Sequence, residues 1–442
     1  MAKSWGQVKF DSPIHIHNSG EFSTNRPNLS ALGNNIYMTW NDWGFGKSQL
    51  LFSRSTDRGE TFAEPAILSA NLPISSCPEV AAVGNNIYNV WLGGTRGQGW
   101  IYFAVSTDEG ETFSEPIKVS RSGSGGTRCP RISALENYVY IVWTEAISTL
   151  DSEVFFTASK DNGETFSEPV RLSTNLLRYL GSPALAAIDN KVYVVWSVMT
   201  DGMPRNGEIF FTFSTDAGEN FNEPINISNL PGESHGPKLM VTDHNVYVVW
   251  IESTGTNSDV YFTVSTDAGK NFSDPINLSN TPYYSVESGL AARANNVYVL
   301  WANSRPRTDL FFSYSTDSGV TFSDPINISK PLGAATSHSS RLVAVKNKVY
   351  LVWQSFFPVP GRNSIFFTLY DEASQKFTEI IPVPNEKSSR SGPSLAAANH
   401  ELYITWVETL PKGGPVRTSG IILDGERDIF FIRGTVTESG NP

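Results

Sequence analysis

One segment type returns along the whole chain and limits its fold more than any other feature. "NNIYMTW", ending at Trp40, recurs as "NNIYNVW", "NYVYIVW", "NKVYVVW", "HNVYVVW", "NNVYVLW", "NKVYLVW" and "HELYITW", eight copies spaced by 51 to 54 residues. A period of this length marks a repeat architecture. Each copy sits in the same four-part order. A small-residue segment such as "SPALAA" (Ser182 to Ala187) comes first, then the Tyr/Trp segment, then "EIFFTFS" (Glu208 to Ser214), then "EPINIS" (Glu223 to Ser228). Every part is strand-length and bounded by Asn, Gly, Asp or Pro, which predicts a four-stranded antiparallel meander of about 52 residues.

In "VYVVW", Val246, Val248 and Trp250 share one strand face and Tyr247 and Val249 the other. A strand apolar on both faces is covered on both, as a sheet is when it lies between two neighbours in a radial stack. The alanines of the first strand, such as Ala186, Ala187, Ala291 and Ala292, suit a crowded inner edge. The expected fold is therefore all-β: a single eight-bladed β-propeller of four-stranded antiparallel blades, one domain over residues 1–442. The N-terminal "FDSPIHIH" aligns with a fourth strand and the C-terminus stops after a third, "DIFFIRG". Residues 8–17 are thus expected to complete the final blade and close the ring.

Composition agrees, with 12% aromatics, 35 Gly and 26 Pro and no run of helical periodicity. The formal charge of -11 opposes a nucleic-acid partner, whose phosphates demand Lys and Arg. No apolar stretch is long enough to span a membrane as a helix, and "MAKSWGQVKF" lacks the apolar core of a leader. An extracellular or cell-surface protein expressed without its leader would read the same way.

After the third strand an acidic turn recurs: "STDRGETF", "STDEGETF", "SKDNGETF", "STDAGENF", "STDAGKNF" and "STDSGVTF", carrying Asp57, Asp108, Asp161, Asp216, Asp267 and Asp317. Carboxylates spread over so many repeats cannot converge on one substrate, so they read as turn fasteners. Asp accepts backbone N–H bonds, Gly takes positive φ and Phe tucks under the hairpin. With mostly one acidic side chain per turn, the loops fall short of what Ca²⁺ requires. No metal site and no cofactor is expected. This Ser-x-Asp-x-Gly-x-Thr-Phe turn resembles the Asp-box, or BNR repeat, of sialidase-like propellers. The resemblance implies blade type more than activity, because such propellers include hydrolases, lyases, binders and assembly factors.

A ligand is expected at the rim opposite the box turns, where the inter-blade loops meet the loops between second and third strands. Candidates there are Arg26, Arg128, Arg341 and Arg390 near the first strands, and Asp42, Glu145, Glu252 and Glu408 just after the Trp of the second, with aromatics Trp43, Tyr283, Tyr284, Phe356 and Phe357. The sialidase resemblance implies an arginine cluster for a sugar carboxylate, an aspartate acid/base and a tyrosine nucleophile assisted by a glutamate. Those roles fall to Asp42, Tyr284 and Glu287. Arg26 stands in "TNRPNLS", directly before Pro27 and without the family's flanking aromatic and isoleucine. His17, His235 and His338 read as solvent-exposed loop residues without metal spacing. The long segment Val407 to Asp428 could lean over the rim.

Cys77 and Cys129 occupy equivalent positions of adjacent repeats, "SSCPEV" and "TRCPRI". A bridge between them requires a Cα separation below about 7 Å and would favour an oxidising compartment. The leading functional expectation is a binding propeller for a glycan or a protein. The alternatives are a carbohydrate-active enzyme, either a sialidase-like hydrolase or a polysaccharide lyase, and a structural surface or assembly protein. The oligomeric state is left open.

Overall fold

The computed structural model describes residues 8–18, 23–24, 27–44, 47–95, 97–121, 127–148, 151–173, 177–200, 206–304, 307–333, 335–357, 362–384, 389–398, 401–411 and 425–436. Arg26 and most of the segment between Val407 and Asp428 lie outside the described residues. Among the described residues the fold is all-β, with one 3-10 turn at Lys330–Leu332 and no α-helix. The chain divides into two compact units, Met1–Ala70 with Ser329–Pro442, and Asn71–Ile328.

In the second unit the predicted meander is plain. Glu233–Thr242, Asn245–Ser253, Ser258–Ser265 and Ile276–Asn277 pair in sequence order, each antiparallel to the last. The same pattern runs through Ile74–Val83 to Ile117–Lys118, Arg131–Leu135 to Val170–Arg171, Ala184–Ile188 to Ile225–Asn226, and Ser285–Arg293 to Ile326–Asn327. Successive sheets pack face to face, as the two-faced apolar strand requires. Val246, Val248 and Trp250 pack against Tyr193, Val195 and Phe211 of the preceding sheet. Tyr247, Val249 and Ile251, from the other face, pack against Val297, Val299 and Trp301 of the next.

The first unit repeats the meander in Asn28–Leu32 to Ala66–Ile67 and in Thr336–Val345 to Ile381–Pro382. Its third sheet is Ser389–Ala398, Glu401–Pro411 and Gly425–Val436. Val8–Phe10 and Ile14–His17 add to it along Gly425–Val436, pairing Val8 with Val436 and Ile14 with Phe431.

Every repeat tryptophan, Trp40 through Trp406, is buried. Most stack on the aromatic directly opposite on the third strand. Trp91 faces Tyr102, Trp143 faces Phe155 and Trp406 faces Phe430, at centroid separations of 5.8, 6.0 and 5.9 Å. Such cross-strand aromatic pairs hold register as well as burying area.

The acidic turns are fasteners with a defined wiring. Ser214 Oγ donates to Asp216 Oδ1 at 2.6 Å and accepts from the Gly218 amide at 2.9 Å. Asp216 Oδ1 accepts the Asn220 amide at 2.9 Å, and Oδ2 accepts the Asn220 side chain at 2.8 Å. The wiring recurs at Asp57, Asp108, Asp161, Asp267 and Asp317, with Thr in place of Asn except at Asp267. The phenylalanine does more than tuck under its own hairpin. Phe166 meets Phe103, Phe221 meets Phe156 and Phe272 meets Phe211, each edge-on at 4.8 Å and each on the preceding sheet. The box turn therefore joins one sheet to the next.

Candidate functional site

In both units the sheet ends away from the box turns are shaped by a local irregularity that repeats. In the first strand the register shifts between Ser76 and Glu79, His235 and Lys238, Val286 and Ser288, His338 and Arg341, and Ser391 and Ser394. The residue at each shift has positive φ: Cys77 at 53°, Gly236 at 64°, Glu287 at 53°, Ser339 at 52° and Gly392 at 59°. These are β-bulges, which bend a strand and re-aim its side chains. Pro78, Pro237 and Pro393 follow three of them, the places where a ladder N–H is lost anyway. Arg26-Pro27 matches this signature in the sequence, so its proline belongs to the repeat.

Just beyond the bulge lies a polar rung that the sequence reading placed differently. Asp42, Glu145, Glu252 and Glu408, expected at an opening, are buried, with at most 5% exposure. The reason is strand periodicity: two residues past the tryptophan is the same face as the tryptophan. Trp143 Nε1 donates to Glu145 Oε2 at 3.0 Å, Trp406 Nε1 to Glu408 Oε2 at 2.9 Å, and Trp353 Nε1 to Ser355 Oγ at 3.0 Å. Across the ladder the first strand supplies a polar partner. Ser234 Oγ donates to Glu252, Ser285 Oγ to Asn303 Oδ1 at 2.9 Å, and Ser337 Oγ meets Ser355 Oγ at 2.8 Å. Burial pushes the Glu252 carboxyl up. Glu145, Glu408 and Ser355 are thus internal acceptors for indole N–H groups, which need a partner once buried.

In the first unit the rung becomes ionic. Arg390 is 2% exposed, donates to the carbonyls of Val383 and Pro384 at 3.0 and 2.9 Å, and sits 3.5 Å from Glu408 Oε2. Its guanidinium lies 4.8 Å from the Trp406 ring centre. Burial pushes it down to about 10, against the opposing pull of Glu408. Asp428, opposite Glu408 in the ladder, meets His15 Nε2 at 2.9 Å. His17 is no exposed loop residue. It ends the added strand, with its ring 5.6 Å from that of Trp40 and its Nε2 2.5 Å from Asp42 Oδ2. The sequence reading missed it because its partners become neighbours only when the N-terminal strand docks.

The remaining candidates are placed separately. Asp42 falls in the first unit, and Tyr284 and Glu287 in the second. Tyr284 donates its hydroxyl to the Gly255 carbonyl at 3.4 Å, and Glu287 is exposed at its bulge. Arg128 is half-buried, its amide bonded to Thr144 O at 2.8 Å. Arg341 is exposed and donates to Ser340 O at 2.8 Å. His235 is exposed and His338 half-buried. Cys77 and Cys129 form a disulfide with a Cα separation of 5.3 Å, joining adjacent sheets of the second unit. Among the described residues no cluster of three or more His, Cys, Asp or Glu is placed to hold a metal ion. No described helix is long and apolar enough to cross a membrane.

Large apolar side chains stay exposed in each unit, Trp43 at 40% and Phe356 at 39% in the first and Tyr283 at 42% in the second. Aromatic faces beside polar loops are the ordinary material of ligand sites.

Residues 135–351 match the family model of the BNR repeat-like domain. The matched stretch, just under half of the chain, contains four of the six acidic turns that resemble the Asp-box. A search by sequence among curated proteins finds no match. Among solved structures, a polysaccharide lyase described as an ulvan lyase is similar at 11% identity and TM-score 0.55, over 82% of this chain and 96% of that one. The polysaccharide lyase Uly1 is similar at 11% identity and TM-score 0.51, over 92% and 89%. The phage phi92 endosialidase gives 12% identity and TM-score 0.45, over 98% and 69%. At these identities the likeness to the two lyases is one of fold, and function has to be argued from the site.

Proposed function

We propose that the repeats make up one eight-bladed β-propeller spanning residues 1–442, and that its rim opposite the Asp boxes recognises carbohydrate. The observation that carries the binding reading is the exposure of Trp43, Phe356 and Tyr283 beside bulged, polar first strands. Flat aromatic faces receive the apolar face of a sugar ring, and surrounding loops supply hydrogen bonds. The likeness in fold to two polysaccharide lyases supports a carbohydrate ligand. The disulfide supports an extracellular or cell-surface setting.

A second reading, a carbohydrate-active enzyme, is favoured by Glu287. A carboxylate held exposed at φ 53°, where equivalent bulges use Gly236 and Gly392, is the kind of strained residue that gathers at functional sites. Tyr284 stands three residues before it. Asp42, buried against His17, serves this reading poorly.

A glycan array run beside turnover assays on sialosides and uronate polysaccharides separates these readings. Binding that weakens in Trp43→Ala or Tyr283→Ala, without turnover, supports the binder. Turnover abolished by Glu287→Gln and Tyr284→Phe would replace it with the enzyme. Silence in every assay would leave a structural role.

A further inference from the structure

At one position in the second unit both facing residues are glycine, where each counterpart pair keeps at least one side chain. Three residues after the repeat tryptophan stand Ala146, Met199, Ser253 and Ser304, opposite Ser152, Gly207, Ser258 and Thr308. After Trp91 the pair is Gly94 opposite Gly99, within the hairpin "LGGTRGQG". A cleft of about 130 Å³ lies between this hairpin and the entry to the next sheet, with both glycines in its lining.

The cleft has one apolar wall, Ile74 and Leu92, and polar groups around it, Ser76, Gln98 and Thr127. Thr127 Oγ1 donates to Gly99 O at 2.9 Å, tying the facing wall to the hairpin. No ionisable side chain lines it among the described residues. The Cys77–Cys129 bridge joins the two segments that carry Ser76 and Thr127, so the walls are fixed before any ligand arrives. Preorganised walls of this kind spare a ligand the cost of ordering them.

We propose that this cleft is a subsite for one uncharged sugar unit of a glycan, an inference that rests on the carbohydrate reading above. A pyranose offers a C–H face to Leu92 and Ile74 and hydroxyls to Ser76, Gln98 and the backbone carbonyls of the glycine hairpin. An anionic sugar finds no cation among the described lining groups.

One of the lining glycines supplies the test. A Cβ at Gly99 would lie 2.9 Å from Leu92 Cδ1, the movable end of a side chain, and 3.7 Å from Thr127 Cβ. Gly99→Val therefore fills the cleft. The full chain is titrated with cellotriose, mannotriose, rhamnose and trigalacturonate by calorimetry, beside the glycan array. The expected result is saturable binding of a neutral probe, weakened at least tenfold in Gly99→Val and several-fold in Gln98→Ala. If Gly99→Val fails to fold, Gln98→Ala decides. Unchanged affinity in the folded variants overturns the subsite and leaves the carbohydrate reading standing. Binding of trigalacturonate alone overturns the neutral class. Binding of none of the four also overturns the subsite, while the array separately decides whether the protein takes carbohydrate at all.

Discussion

His17 Nε2 lies 2.5 Å from Asp42 Oδ2, joining the end of the N-terminal strand to the second strand of the first full repeat. Asp42 is 5% exposed, so its carboxylate depends on this partner. Removing one partner of this hydrogen bond leaves the other buried and unsatisfied, at about 1–3 kcal/mol. Asp42→Ala and His17→Ala should each lower stability by about that amount, read as a shift in urea midpoint at unchanged slope. The double variant should lose less than the sum of the two. Additive losses would show that the two groups do not interact.

The box aspartates predict an acid transition. Hydrogen bonds from Ser214 and Asn220 hold Asp216 down to about 2, and Asp267 and Asp317 are held down to about 2 by Asn271 with Ser265 and by Thr321 with Ser315. A carboxyl lowered on folding contributes stability that is present above its unfolded value, near 3.8, and lost as pH falls toward 2. The melting temperature should therefore drop across pH 4 to 2. Asp216→Asn should begin lower and fall less steeply. It should leave ligand binding intact, since the box turns lie at the end of the sheets away from the rim.

Gly163 and Gly84 separate two costs that are easily confused. Both have positive φ, but a Cβ at Gly163 would lie 2.6 Å from the Phe103 ring, while nothing comes within 4 Å at Gly84. Gly84→Ala carries only the backbone strain, about 1 kcal/mol. Gly163→Ala adds displacement of a ring from the neighbouring sheet, at about 1–3 kcal/mol more. Equal losses in thermal melts would mean that Phe103 moves freely.

The disulfide closes a loop with a sequence separation of 52. The chain-entropy relation gives about 4 kcal/mol for a loop of this size. Titration of the unreduced, denatured protein should find no free thiol. Cys77→Ser with Cys129→Ser should lower the melting temperature. Two titratable thiols in protein prepared without reductant would refute the bridge.

The repeat, the strand order and the box turns were legible because each is a local pattern written many times over. Val246 and Trp250 announce their faces by alternation alone. The rung was harder to read, because a glutamate two residues past a tryptophan carries no mark of burial. The recurring Trp-x-Glu, Trp-x-Asn and Trp-x-Ser spacing was the available signal. His15 and His17 were illegible for another reason, since their partners Asp428 and Asp42 are distant in sequence and meet only through pairing of the chain's two ends. Cys77, Glu287 and Ser339 share a backbone conformation that no side-chain pattern announces.

The pairing of Val8 with Val436 sets an order of events during synthesis. The N-terminal strand leaves the ribosome first and has no partner until Gly425–Val436 follows. Over that interval Val8, Phe10, Ile14 and Ile16, which pack into the first unit, have no native core to enter. An unpaired apolar strand invites the wrong neighbour, so this segment stays open to mispairing until residue 436 has emerged. A permuted gene that emits residues 8–17 directly after residue 436 would remove the wait, and its yield of native protein would show how much the wait matters.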